Sequence, residues 1–182
     1  MKPRFSFALL LLLSSTCLLQ SCKKDDEPEP VNEEELITTF RLTFTEVGNS
    51  SNTFTATLSD PDGEGPTAPT VDEIMLDSAT TYNVTAEFLN ESDPNDVEDI
   101  TEEIREEDDQ HLLCFSPSGV DLTVNRTDSD GTYEVGLTSD WVAGAAGSGT
   151  ITIALRHQPG VKDGTCDPGE ADLEATFDVT IQ

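Results

Sequence analysis

The sequence predicts a mainly β domain, an antiparallel immunoglobulin-like β-sandwich of about nine strands with one short inserted helix. Three features carry that prediction. Apolar and polar side chains alternate at both ends of the domain, clusters of Gly, Pro, Asn and Asp punctuate the alternation, and one segment switches to helical spacing.

The first strand is read from Leu36, Thr38, Phe40, Leu42 and Phe44, which share one parity while Ile37, Thr39, Arg41, Thr43 and Thr45 take the other. Further strands are expected near 53–59, 71–76, 80–89, 111–115, 120–126, 132–138 and 149–157, with turn-forming residues between them. The last strand alternates most cleanly. Ala171, Leu173, Ala175, Phe177, Val179 and Ile181 face one way, and Asp172, Glu174, Thr176, Asp178 and Thr180 the other. From Pro94 to Asp109 the apolar residues are Val97, Ile100 and Ile104, a spacing that predicts a short amphipathic helix between strands.

Ahead of the domain, Lys2 and Arg4 precede an apolar run from Phe5 to Leu19 that ends in Leu19-Gln20-Ser21-Cys22. This is the pattern of a lipobox, which specifies export, acylation of the Cys22 thiol and cleavage just before it. The run falls short of the roughly 18 apolar residues of a spanning helix, so the expected attachment is a lipid anchor in the membrane surface. Residues 1–21 are thus read as a lipoprotein signal peptide, 22–35 as an acidic flexible tether starting at lipidated Cys22, and 36–182 as the sandwich domain. Lys23-Lys24-Asp25-Asp26-Glu27 resembles the export signal of surface lipoproteins in Bacteroidota. That resemblance implies an outer-membrane protein exposed on the cell surface.

The charge balance excludes one class of partner. The chain carries 9 Lys plus Arg against 37 Asp plus Glu, and loss of Lys2 and Arg4 with the signal peptide leaves 7 against 37, a balance of −30. Such a surface repels phosphate backbones, which excludes nucleic acid and leaves cations or a basic partner surface as counterparts; solubility alone also accounts for the acidity. Of four cysteines, Cys17 leaves with the signal peptide and Cys22 takes the lipid, so Cys114 and Cys166 are expected to form a disulfide in an oxidising compartment. No thiolate pair has the C-x-x-C spacing of a metal site.

Several stretches resemble small Bacteroidota surface lipoproteins of unknown function. They are Pro28-Glu29-Pro30-Val31-Asn32-Glu33-Glu34-Glu35-Leu36-Ile37-Thr38-Thr39, Thr80-Thr81-Tyr82-Asn83, Leu89-Asn90-Glu91-Ser92, Glu98-Asp99-Ile100-Thr101-Glu102-Glu103 and Leu155-Arg156-His157. That group is often labelled a type 1 periplasmic binding fold, a two-lobed α/β architecture of roughly twice this length, whereas the alternation here does not read as βαβ units. The resemblance implies no chemistry.

No nucleophile elbow, zinc-protease helix or phosphate-cradling loop is present, and paired carboxylates are uninformative in so acidic a chain, so an enzyme is not expected. Two turns, Asp60-Pro61-Asp62-Gly63-Glu64 and Asp128-Ser129-Asp130-Gly131, have calcium-like carboxylate spacing, though Asp-Gly between strands is also a favoured hairpin turn. The two histidines are the stronger candidates. His157 has core-facing parity at the end of the strand holding Ile151, Ile153 and Leu155, and His111 opens the strand of Leu113 and Phe115. The acids before His111, Glu107 and Asp109 among them, would sit at the negative end of the helix dipole, a placement that a bound cation relieves. His111 and His157 with a carboxylate from Glu107 or Asp109, or from Asp163 or Glu170, would hold zinc or another divalent transition metal. Trp141, in a Gly/Ala-rich stretch, either folds over the core or stacks on a sugar or partner.

Together these features point to a non-catalytic binding module on the cell surface, holding a transition metal and passing it to an outer-membrane receptor. The alternative is a structural, adhesive or carbohydrate-binding sandwich whose acidic turns bind calcium or only confer solubility. The anchor is directly testable. Cys22→Ala is expected to leave uncleaved precursor or soluble material without lipid, checked by mass and membrane fractionation; an unchanged, lipid-free membrane fraction contradicts the lipobox reading.

Overall fold

The computed structural model describes residues 36–182 apart from Glu64, so Cys22 and the segments read as signal peptide and tether lie outside the described residues. The strands β1 (Thr39–Glu46), β2 (Thr53–Ser59), β3 (Thr70–Val71), β4 (Ile74–Leu76), β5 (Thr81–Asn90) and β6 (Glu98–Asp99) precede the helix α1 (Ile100–Glu106). After it come β7 (His111–Ser118), β8 (Leu122–Arg126), β9 (Thr138–Ala143), β10 (Gly147–His157) and β11 (Glu170–Ile181).

These strands form an antiparallel β-sandwich. One sheet runs β3-β2-β1-β5-β9-β8, with β6 also on β5, and the other runs β4-β11-β10-β7. All described pairs are antiparallel except β4 on β11. The alternation explains the layering, since a period of two gives each strand one apolar face, and both apolar faces turn inward. Phe40, Leu42, Phe44, Val84 and Phe88 from the first sheet meet Ile151, Ile153, Phe177 and Val179 from the second in one buried cluster. Aromatic rings bridge the layers. Phe40 stacks on its cross-strand partner Phe88 at 4.7 Å and meets Phe177 edge-on at 5.9 Å.

Three elements differ from the sequence reading. The apolar stretch 71–76 is split, because β3 pairs with β2 in one sheet and β4 with β11 in the other, so the chain changes sheets at Asp72-Glu73. Of the segment 132–138 only Thr138 belongs to a strand, as the first residue of β9. Val135 accepts from the Leu113 amide at 2.7 Å and Leu137 from the Ala86 amide at 2.8 Å, so these buried residues join one sheet to the other instead of extending a ladder. The helix starts six residues later than Pro94, at Ile100, because Asp99 caps it by accepting from the Thr101 amide at 3.1 Å and Glu98-Asp99 pair with β5. Val97 is half exposed and takes no part in the apolar stripe. Thr101 fastens the helix to β5, accepting from the Phe88 amide at 2.8 Å and donating to the Phe88 carbonyl at 3.2 Å.

Trp141 also lies elsewhere than the Gly/Ala-rich stretch suggests. It is in the middle of β9, fully buried, with its indole N–H donating to the Ser139 hydroxyl at 3.0 Å. Its ring meets Phe44 at 5.2 Å and Phe115, from the other sheet, at 6.0 Å. The tryptophan is therefore a core residue and unavailable for stacking on a sugar. Trp141→Ala is expected to lose about 3–5 kcal/mol in urea unfolding, while Val142→Ala, exposed on the same strand, changes stability by less than about 0.5 kcal/mol.

Candidate metal centre

At one end of the sandwich β7 and β10 run antiparallel in continuous register from Thr150↔Ser118 to His157↔His111. That register makes the histidines direct cross-strand neighbours. Because Leu113 and Leu155 are also partners and both buried, His111 and His157 share the core-facing side, two residues beyond them. The imidazoles stack with centroids 4.7 Å apart and planes 7° from parallel.

The end of α1 completes the cluster. Glu107 caps the helix, its N–H donating to the Glu103 carbonyl at 2.9 Å, and its own carbonyl accepts from the Gln110 amide at 2.9 Å. The same carbonyl lies 3.0 Å from Nδ1 of His111. A carbonyl only accepts, so Nδ1 carries the proton and Nε2 presents its lone pair, the tautomer that suits metal ligation. One donor atom from each of Glu107, His111 and His157 lies within 4.8 Å of the other two. Donors on one tetrahedral zinc stand about 3.3 Å apart, so a bound ion would require separations shorter than the 4.8 Å within which these atoms lie. His111 is only 4% exposed. Burial holds its pKa below the usual imidazole range, against the Glu107 carbonyl bond, and the nearby His157 and Lys162 push the same way. Nε2 of His157 is buried and has no hydrogen-bond partner among the described residues.

The Cys114–Cys166 disulfide is present, with Cα atoms 6.0 Å apart and a sequence separation of 52. It does not itself bring the histidines together, since Cys114 has the opposite parity to His111 on β7; the ladder does that. The bridge instead fastens the loop 158–169 beside the histidine strands. Within that loop the buried Gln158 donates to the Thr165 and Pro168 carbonyls at 2.9 and 3.0 Å. Gly169, at φ +79°, passes so close that a Cβ there would lie 2.0 Å from the His157 carbonyl oxygen. Only glycine fits between that loop and the end of β10.

Asp109, the other acid expected near the histidines, stands outside the Glu107, His111 and His157 group and lines a separate cleft with Asp130, Tyr133 and Lys162. Lys162 is the cation that the acidic run attracts. Its buried ammonium donates to the Asp108 carbonyl at 2.6 Å and to Oδ2 of Asp130 at 2.8 Å, relieving the negative helix end with a protein charge. The turn at Asp128 and Asp130 is likewise engaged within the protein. Asp128 accepts from the Gly136 and Thr138 amides, and Oδ1 of Asp130 from those of Thr132 and Tyr133, both at 2.7 Å. In the first turn Asp62 accepts from the Thr67 amide at 3.2 Å, which holds its pKa low, while burial and the neighbouring Asp62 raise that of Asp60. Glu64 lies outside the described residues.

No family model, curated protein or solved structure matches the chain. The functional reading therefore rests on the site itself.

The Asp130 contacts set a pH dependence. Lys162 foremost, then the Tyr133 and Thr132 amides, lower its carboxyl from 3.8 to about 2. A depressed acid contributes stability that is complete above the unfolded pKa and is lost as pH falls through the folded one, here between about 4 and 2. Lys162→Met is expected to lower stability at neutral pH and to flatten that part of the acid limb, read as urea midpoints at pH 5, 4, 3 and 2. Parallel acid limbs for parent and variant contradict the assignment.

Proposed function

We propose that this chain is a lipid-anchored, non-catalytic binding module of the outer-membrane surface that holds one divalent transition metal ion. The anchor and the surface position rest on the lipobox at Cys22 and the Lys24-Asp25-Asp26 stretch. Among the described residues no helix is long and apolar enough to cross a membrane. The observation that carries the metal reading is the grouping of one donor atom each from Glu107, His111 and His157 within 4.8 Å of one another, with Nδ1 of His111 engaged by the Glu107 carbonyl and Nε2 of His157 buried without a hydrogen-bond partner among the described residues.

Imidazole nitrogen and carboxylate oxygen together suit zinc and its neighbours better than calcium, which takes oxygen alone. The chemistry asked of the site is retention of an ion, for which two imidazoles and a carboxylate suffice. A receptor in the outer membrane is the partner such a module would serve.

A structural or adhesive sandwich is the second reading, and one observation favours it. Lys162 already neutralises the acidic helix end, so the charge there does not require a metal. Titration of metal-free protein with zinc at neutral pH separates the two. One stoichiometric site is expected, weakened at least about tenfold, roughly 1.4 kcal/mol, by His157→Ala while the circular dichroism spectrum persists. Equal zinc binding by parent and variant, or none by either, favours the structural reading.

A further inference from the structure

The cleft beside Lys162, about 310 Å³ in volume, brings into one lining an exposed aromatic ring and an acid that no protein cation neutralises. Lys162 and Asp130 also line it, but their buried charges meet at 2.8 Å and cancel. Asp109 is exposed, and among the described residues no ion pair or hydrogen bond engages its carboxylate. The ring is that of Tyr133. Of the two tyrosines, Tyr82 is fully buried and its hydroxyl accepts from the Asp77 amide at 3.0 Å, whereas Tyr133 is 38% exposed. Its position is nevertheless fixed. The Tyr133 amide donates to Oδ1 of Asp130 at 2.7 Å and its carbonyl accepts from the Asp130 amide at 3.0 Å. A Cβ on Gly164, at φ +84°, would lie 2.9 Å from Cδ1 of the ring, so only glycine lets the disulfide-bound loop lie against it.

A held aromatic face and an unspent carboxylate in one cleft suit a flat, delocalised cation. A guanidinium stacks on the ring through its plane and donates to the carboxylate through its edge. A bare calcium ion, which takes roughly six to eight oxygen ligands, gains little from a ring. Charge narrows the occupant further. The chain carries 9 Lys plus Arg against 37 Asp plus Glu, and Arg41, Arg126 and Lys162 are already paired within the domain. An anionic ligand or a second copy of this chain therefore meets repulsion, whereas a basic protein surface is drawn in.

We infer that this cleft receives an arginine side chain from a basic protein partner, with Asp109 accepting from the guanidinium and Tyr133 stacking on it. The inference does not depend on the metal reading, because neither residue belongs to the histidine group. Thr132, which also lines the cleft, offers its hydroxyl to the same cation. The buried Lys162–Asp130 pair has a supporting part, since it holds the turn that carries Tyr133 against the loop that carries Gly164.

The probe is the peptide amide Gly-Arg-Gly-Arg-Gly, titrated calorimetrically into the full-length chain in detergent at neutral pH and low salt. One saturable site is expected, and none for the same peptide with citrulline in place of arginine. Asp109→Asn and Tyr133→Ala are each expected to weaken binding by at least about fivefold, whereas Tyr133→Phe, which keeps the ring, stays within about twofold of the parent. Asp178→Asn is the control for diffuse charge, being exposed on β11 and paired with Thr150 away from the cleft. It is expected to change affinity by less than about twofold. Circular dichroism checks each variant, and if Tyr133→Ala does not fold, the contrast of Asp109→Asn with Asp178→Asn carries the test. Absence of saturable binding by the parent overturns the inference. So does equal weakening by Asp109→Asn and Asp178→Asn, which would make the attraction a property of the whole acidic surface. A dimer of the parent that Tyr133→Ala dissolves would make a second copy the occupant and overturns the basic partner.

Discussion

The antiparallel register of β7 on β10 is the constraint on which the candidate centre depends. A slip of one residue would put one imidazole on the opposite face, and a slip of two would separate the rings by about 7 Å along the strands. The register is fixed by burial, because Leu113 and Leu155 are cross-strand partners that both belong to the buried core between the sheets. The disulfide contributes differently. By closing a span of 52 residues it removes about 4 kcal/mol of chain entropy from the unfolded state, and it holds the loop whose Gly169 abuts the carbonyl of His157.

Charge is arranged around that frame. A chain with a formal balance of −28 repels itself, and the acids that follow α1 sit where the helix dipole is already negative. Lys162 offsets them from the disulfide-bound loop, reaching the helix end and the Asp130 turn at once, so three segments near the histidines are fastened by one ammonium. A divalent ion at the histidines would do the same on the core side. The two cations would not be interchangeable, since Lys162 meets only oxygen acceptors whereas the other position presents imidazole nitrogen.

The layering was legible because strict alternation in β1, β10 and β11 leaves no other face to bury, and the helix because Ile100 and Ile104 break that period. The neighbouring histidines were legible for the same reason, each sharing parity with the core residues of its strand. What escaped the sequence did so for local causes. Val135 and Leu137 alternate like a strand but bond to different sheets, and the glycines after Ala143 disguise Trp141 as a loop residue. The burial of the Asp172 side chain escaped because parity extrapolated back from Ile181 does not survive the register shift beside Leu155 and Arg156. Lys162 carried no signal at all, since its partners are more than 30 residues away in the chain.

The measurement that bears most directly on this account is X-ray absorption at the zinc edge on protein loaded with one equivalent of zinc. The account expects a four-coordinate shell at about 2.0–2.1 Å, with the outer-shell scattering of two imidazoles and none from sulfur. A shell of six oxygens, or of any set without two imidazoles, contradicts it.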